Sequence, residues 1–223
     1  MSLTVSPLAP ASFPEMPKVR GVDLFTGATG TYKGGRDNVL LARFQPGTTV
    51  AGVLTRSKCA SAPIEWCRRQ LPQGSARGLV VNAGNANAFT GIKGAEATRA
   101  VADHAAALLG CSASEVFLGS TGVIGEPLDP EPLTRVLDQL DLGSPADMQA
   151  GARAIMTTDT FAKGSVEFGT CTSRSSPSGN PASARRLFAF STSRAGTGND
   201  VLYHGEVDGN GWLPGANAPS NTT

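Results

Sequence analysis

The sequence predicts an α/β domain, and three observations carry that reading. Short β-rich runs recur at residues 39–44, 49–55 and 77–82. A long helix at residues 94–109 has the single apolar stripe of an element laid over a sheet: Val101, Ala105, Leu108 and Leu109 fall at i, i+4, i+7 and i+8, and Gly110 stands where it should stop. An apolar run, Val116-Phe117-Leu118, then returns as a strand into a cluster of glycines.

Taken in order, residues 1–20 form a leader, punctuated by prolines between 6 and 17, which should lie extended over the domain. Residues 21–25 make a first strand, bounded by the turn material of residues 27–30 and 34–38. Residues 39–44 and 49–55 are separated by Gln45-Pro46-Gly47-Thr48, which predicts an antiparallel hairpin. Pro63 opens a short helix with Ile64, Cys67 and Leu71 on one face, so that Trp66 is a packing residue. Residues 77–82 form an apolar strand that ends in Asn82-Ala83-Gly84-Asn85-Ala86-Asn87-Ala88. Asparagine tolerates left-handed backbone and bonds its own main chain, so an array of Asx-turns explains the run; the Asn85 and Asn87 amides could equally hold a polar substrate.

Beyond the glycines, Asp129 is placed to cap a helix with Pro130 at its first position and Leu133, Val136, Leu137 and Leu140 as its stripe. A further helix starts at Ser144-Pro145-Ala146-Asp147 and turns Met148, Ala152 and Ile155 inward before the hydroxyl cluster Met156-Thr157-Thr158-Asp159-Thr160. Such a cluster stops a helix, because Thr and Asp are poor helix interiors. Residues 163–169 read as one more strand. From 170 to 223 the texture turns Ser-, Arg-, Pro- and Gly-rich with no apolar period, and no element is predicted there.

Composition narrows the function. With 223 residues the chain is one large domain or two small ones. A net charge of +1 without basic blocks removes the electrostatic case for nucleic acid or an anionic membrane. No apolar run reaches the roughly 18 residues of a membrane span and the start lacks a signal-peptide pattern, which predicts a cytoplasmic protein. Cys59, Cys67, Cys111 and Cys171 lack the spacing of a zinc site or a disulfide framework, and with only His104 and His204 a histidine metal site or Ser-His-Asp triad is not expected. Neither metal nor cofactor is predicted.

Backbone is exposed at Gly119, Gly122 and Gly125, and two chemistries use such a turn. The spacing resembles a dinucleotide phosphate loop, but Pro127 and Pro130 fall where the helix behind such a loop should run. The other chemistry is an oxyanion hole, in which Thr121 and the Gly122 N–H stabilise charge developing on a carbonyl oxygen.

Four motifs, in order, resemble the ornithine acetyltransferase family, also called bifunctional glutamate N-acetyltransferase. They are Ala51-Gly52-Val53-Leu54-Thr55-Arg56-Ser57-Lys58 with Ala62-Pro63; Val81-Asn82-Ala83-Gly84-Asn85-Ala86-Asn87-Ala88; Ser120-Thr121-Gly122-Val123-Ile124-Gly125-Glu126-Pro127; and Ile155-Met156-Thr157-Thr158-Asp159-Thr160. The resemblance runs from about residue 7 to residue 169. It implies a four-layer α-β-β-α sandwich and acetyl transfer from N-acetylornithine to glutamate in arginine biosynthesis, with acetyl-CoA a second donor in some members. It also implies an oligomer in which a self-cut precursor supplies a second chain, whose new N-terminal threonine is the nucleophile. Thr121 and Gly122 match the family's oxyanion pair, and Thr157 matches a substrate contact. A self-compartmentalised aminopeptidase of similar architecture would lack these motifs.

The sequence departs from the family after Lys163. A Lys-Gly-x-Gly-Met segment and then an Ala-Thr-Met-Leu cleavage site are due, and neither occurs between Gly164 and Thr223. The expectation is therefore a domain spanning residues 21–169, a tail at 170–223 whose composition fits a shifted reading frame, and a chain inactive by itself. A non-catalytic fragment or interaction subunit of the same fold is the alternative, ahead of nucleotide binding at Gly119–Gly125.

Overall fold

The computed structural model describes residues 5–7, 9–32 and 35–165. Four strands, β1 (Val22–Gly27), β2 (Val39–Phe44), β3 (Gly78–Asn85) and β4 (Val116–Val123), form one sheet in the order β1-β2-β3-β4. The first two pairings are antiparallel and β3–β4 is parallel. A parallel pair needs a crossover, which helix α2 (Gly91–Leu109) provides. The other helices are α1 (Ala62–Gln70), α3 (Glu131–Gln139) and α4 (Met148–Ala154).

Val39, Leu40, Leu41 and Ala42 of β2 are wholly buried, as an inner strand covered on both faces requires. Strand alternation assigns the covers. Gly27, Val39 and Asn82 are successive cross-strand partners, and Gly78 lies on the same side as Asn82. A side chain on Gly27 would strike Val136 of α3, and one on Gly78 would strike Leu109 of α2, so those two helices share a face. Gly151 of α4 sits instead against Leu24 and Leu40, which point the other way. α1 closes the β4 edge: the Trp66 indole donates to the Val116 carbonyl at 2.8 Å and the Cys67 thiol to the Leu118 carbonyl at 3.2 Å. The described residues thus hold one sheet between helices, where the resemblance implied two sheets. No helix among them is long and apolar enough to cross a membrane.

Several expectations are corrected. Residues 49–55 do not return as a hairpin partner of β2, because both β2 edges are already taken by β1 and β3; of this run, Thr49 makes an isolated bridge to Ser75. Gln45–Thr48 does turn, with the Thr48 amide and hydroxyl both donating to the Gln45 carbonyl. The caps of α3 and α4 are shifted. Pro130 occupies the α3 cap position while the Asp129 carboxylate accepts from the Glu131 amide, and Asp147 itself caps α4 by accepting from the Ala150 amide at 2.7 Å. α4 buries Gly151 and Ala154, with Met148 and Ile155 partly buried behind them.

The leader lies across the segment after α4. Ser6 N donates to the Thr160 hydroxyl at 3.1 Å, and Phe13 and Met16 crowd Gly164. Lys163, Gly164 and Ser165 are not in a strand. The rest of that predicted strand and the whole of the tail lie outside the described residues.

Candidate active site

In sheets with parallel strands, sites form where the strands' carboxyl ends open, and the predicted residues gather at that end of β3 and β4. The two strands run in register through Asn82↔Ser120, Ala83↔Thr121, Gly84↔Gly122 and Asn85↔Val123. The glycine segment is therefore not a turn after residue 118. It continues β4 for five more residues, and the next α-helix begins only at Glu131, so Gly119 and Gly122 form no phosphate loop opening a helix.

What the glycines provide is close approach. Gly84 and Gly122 have φ of +120° and +135°, and a Cβ on Gly122 would fall 2.5 Å from the Gly84 carbonyl oxygen. Main-chain bonds then zip the two segments beyond the strands: Ala86 N to the Val123 carbonyl at 2.7 Å, and Gly125 N to the Ala88 carbonyl at 2.9 Å. The Ser120 hydroxyl donates to Asn82 Oδ1 at 2.6 Å, and Asn82 Nδ2 to the Asn85 carbonyl at 2.9 Å. Thr121 is half-buried on this scaffold, Gly122 is exposed, and the Thr121 hydroxyl has no hydrogen-bond partner among the described residues.

The two asparagines differ in their surroundings. Asn85 is half-buried at the rim; its Oδ1 accepts from the Asn87 amide at 2.6 Å, the predicted Asx-turn, and its Nδ2 donates to the Glu126 carbonyl. Asn87 is wholly buried at φ +47°. Its Nδ2 donates to the Gly94 carbonyl at 3.0 Å and to Thr98 Oγ1 at 2.9 Å, and its Oδ1 accepts from the Thr90 hydroxyl at 2.8 Å. Both donors of that amide are taken and its oxygen accepts once, so Asn87 ties the loop to α2.

Thr157 follows α4, half-buried, and reaches the strand ends through a residue that sequence reasoning passed over. The Tyr32 phenol donates to the Thr157 carbonyl at 3.0 Å, and the same ring lies so close to Gly84 that a Cβ there would be 3.3 Å from Tyr32 Cδ2. One aromatic ring and one hydrogen bond therefore separate Thr157 from the Gly84–Gly122 pair. Tyr32 falls between residues 27–30 and 34–38, the two stretches read as turn material. Phe89, Ile92, Val123 and Ile124 are exposed large apolar residues in and around the zipped segments.

Residues 24–175 match the model of the ArgJ family. The arginine biosynthesis bifunctional protein ArgJ of Agrobacterium fabrum is 54% identical over 164 residues, 73% of this chain and 40% of the relative. That of Bradyrhizobium diazoefficiens is 56% identical over the same share. The chain thus spans about 40% of the length of the curated relatives it matches. Among solved structures, ornithine acetyltransferase of Mycobacterium tuberculosis complexed with ornithine aligns with a TM-score of 0.58 at 28% identity, covering 90% of this chain and 92% of that one. The Bacillus halodurans protein argJ shares the fold, with a TM-score of 0.60 at 23% identity, over 87% and 90% of the two chains. The match covers β1 from Leu24 on, the other three strands and all four helices, and it takes in Thr121, Gly122 and Thr157: the chain belongs to the ArgJ family.

Proposed function

We propose that this domain supplies the oxyanion and donor-holding part of an acetyl transfer from N-acetylornithine to glutamate in arginine biosynthesis. The observation that carries the reading is the convergence of Thr121 and Gly122, at the carboxyl ends of β3 and β4, with the Thr157 segment, in a chain of this family. When a nucleophile attacks the acetyl carbonyl, its oxygen gains negative charge. The Thr121 hydroxyl and Gly122 N–H are the donors proposed to meet it. Thr157 and Asn85 border the space for the amino-acid part of the donor; ornithine, bound in the M. tuberculosis relative, has the matching zwitterion.

The attacking group in this reading is an N-terminal threonine made by self-cleavage, carried on a second chain that also completes the four-layer sandwich and the oligomer. Because its Lys-Gly-x-Gly-Met and Ala-Thr-Met-Leu segments do not occur in this sequence, the 223-residue chain is proposed to bind donor without cutting itself or turning over. Acetyl-CoA is a further candidate donor.

Thermal-shift titration of the purified chain with N-acetylornithine, glutamate and NAD tests this. Saturable stabilisation by N-acetylornithine is expected, reaching about 2.7 kcal/mol at a hundred times the dissociation constant. Stabilisation by NAD alone would replace the reading with a nucleotide site, and self-cleavage seen by mass spectrometry would refute the inactivity.

A further inference from the structure

We propose that Tyr32 and Arg36 are positioning residues, a clasp that sets the distance between the Thr157 segment and the Gly84–Gly122 pair; this rests on reading Thr121, Gly122 and Thr157 as one site. The base of their loop is locked to β3. Asn38 Oδ1 accepts from the Thr29 amide and hydroxyl at 2.8 and 3.1 Å, and Asn38 Nδ2 donates to the Ala83 carbonyl at 3.0 Å. The Ala83 amide answers by donating to the Asn38 carbonyl at 2.8 Å. The anchor lies one residue before Gly84, so the loop moves with the strand end.

From that anchor the two side chains reach outward together. The Arg36 guanidinium lies 4.2 Å from the Tyr32 ring centroid, close enough to hold the ring by a cation–π contact. Its nitrogens donate to the Arg153 carbonyl at 2.5 Å and to the Met156 carbonyl. The Arg153 carbonyl already accepts from the Met156 amide at 3.3 Å, and the guanidinium adds a charged donor to it and to the Met156 carbonyl beyond the helix. Tyr32 takes the next carbonyl in line, that of Thr157. Three main-chain oxygens at and just beyond the end of α4 are thus held by one stacked pair, whose ring rests against Gly84 because glycine has no side chain there. A hydroxyl in an irregular segment is only as well placed as its main chain, and acyl transfer is sensitive to displacements of about 1 Å.

Tyr32→Phe keeps the ring and removes the hydroxyl. In the full 223-residue chain the test compares it with wild type by melting temperature, by amide hydrogen exchange and by calorimetric titration with N-acetylornithine. The expected result is a melting temperature lowered by less than about 5 °C, exchange raised about fivefold and confined to residues 156–159, and affinity lowered by a similar factor, the effect of one net hydrogen bond. Wild-type and variant chains that bind the donor equally well would overturn the positioning role while leaving the substrate reading intact. A wild-type chain that binds no N-acetylornithine would defeat the substrate reading instead, and the clasp would then stand or fall on the exchange of residues 156–159 alone. Should Tyr32→Phe lower the melting temperature by more than that and loosen β3 and β4 as well, Tyr32 is a structural residue and the proposal fails. Arg36→Lys, which keeps the charge and loses the forked donors, repeats the test independently, with exchange raised in the same residues.

Discussion

Gly84 and Gly122 face each other in parallel register at the ends of β3 and β4, both with positive φ, and the backbone of one occupies the space where a Cβ of the other would stand. Gly122→Ala must then push against main chain, which cannot rotate away, while also adopting a φ that L-residues avoid. The expected loss is about 3 kcal/mol in urea unfolding. Gly84→Ala should cost less, because the atom it meets belongs to the Tyr32 ring. Gly119→Ala is the control: its Cβ would find Val81 at an ordinary 3.5 Å, and no positive φ is involved. Equal losses at all three positions would show that the close approach is not what the glycines provide.

Asn87 makes a second stability prediction that separates scaffold from site. Replacing it with alanine strips a buried carbonyl and two donors from Thr90, Gly94 and Thr98, and forces alanine into left-handed backbone. Asn87→Ala should therefore destabilise the chain by about 3 kcal/mol. In the thermal-shift titration, any folded fraction should keep wild-type affinity for N-acetylornithine. A selective loss of affinity with unchanged stability would make Asn87 a substrate contact.

Legibility followed periodicity. The α2 stripe and the β2 run were readable because burial repeats along them, and Trp66 because the α1 face around it is apolar. Residues 49–55 misled because β propensity says nothing about which strand edges are already taken. The glycine cluster misled for a related reason: Gly122 looks like a turn residue, yet a close parallel neighbour needs glycine there just as much inside a strand. Asn85 and Asn87 share a motif and a residue type, and only the position of α2 decides that one amide is buried and the other is at the rim. Tyr32 and Arg36 left no periodic signal at all. Their partners are main-chain carbonyls more than a hundred residues away, which no local pattern encodes.

The thiols offer a chemical test of the packing. Cys59 is exposed, whereas burial pushes the Cys111 thiol up from its ordinary range, helped by the Glu115 carboxylate and opposed by Arg77. A raised thiol holds less thiolate at a given pH, and thiolate is the species that alkylates. Iodoacetamide at pH 8, followed by peptide mapping, should label Cys59 first and Cys111 later, with the gap closing as pH rises. Cys67, buried and bonded to Leu118 of β4, should react only on unfolding. Early labelling of Cys67 would mean that α1 does not stay closed over the β4 edge.

Thr121 carries the sharpest functional prediction, because its environment lets chemistry and stability be told apart. Its hydroxyl has no hydrogen-bond partner among the described residues, so Thr121→Ala removes no such bond from the described fold and should change stability by less than about 1 kcal/mol. An oxyanion donor, in contrast, acts mainly in the transition state. In a full-length ArgJ-family protein carrying residues 24–165 of this chain, Thr121→Ala should lower kcat by about 10²-fold or more with KM little changed. Thr121→Ser, which keeps the hydroxyl, should recover most of the rate. Turnover in the alanine variant equal to that of the parent would remove Thr121 from the reaction, and a rise in KM alone would make it a contact for bound donor without a part in stabilising the oxyanion.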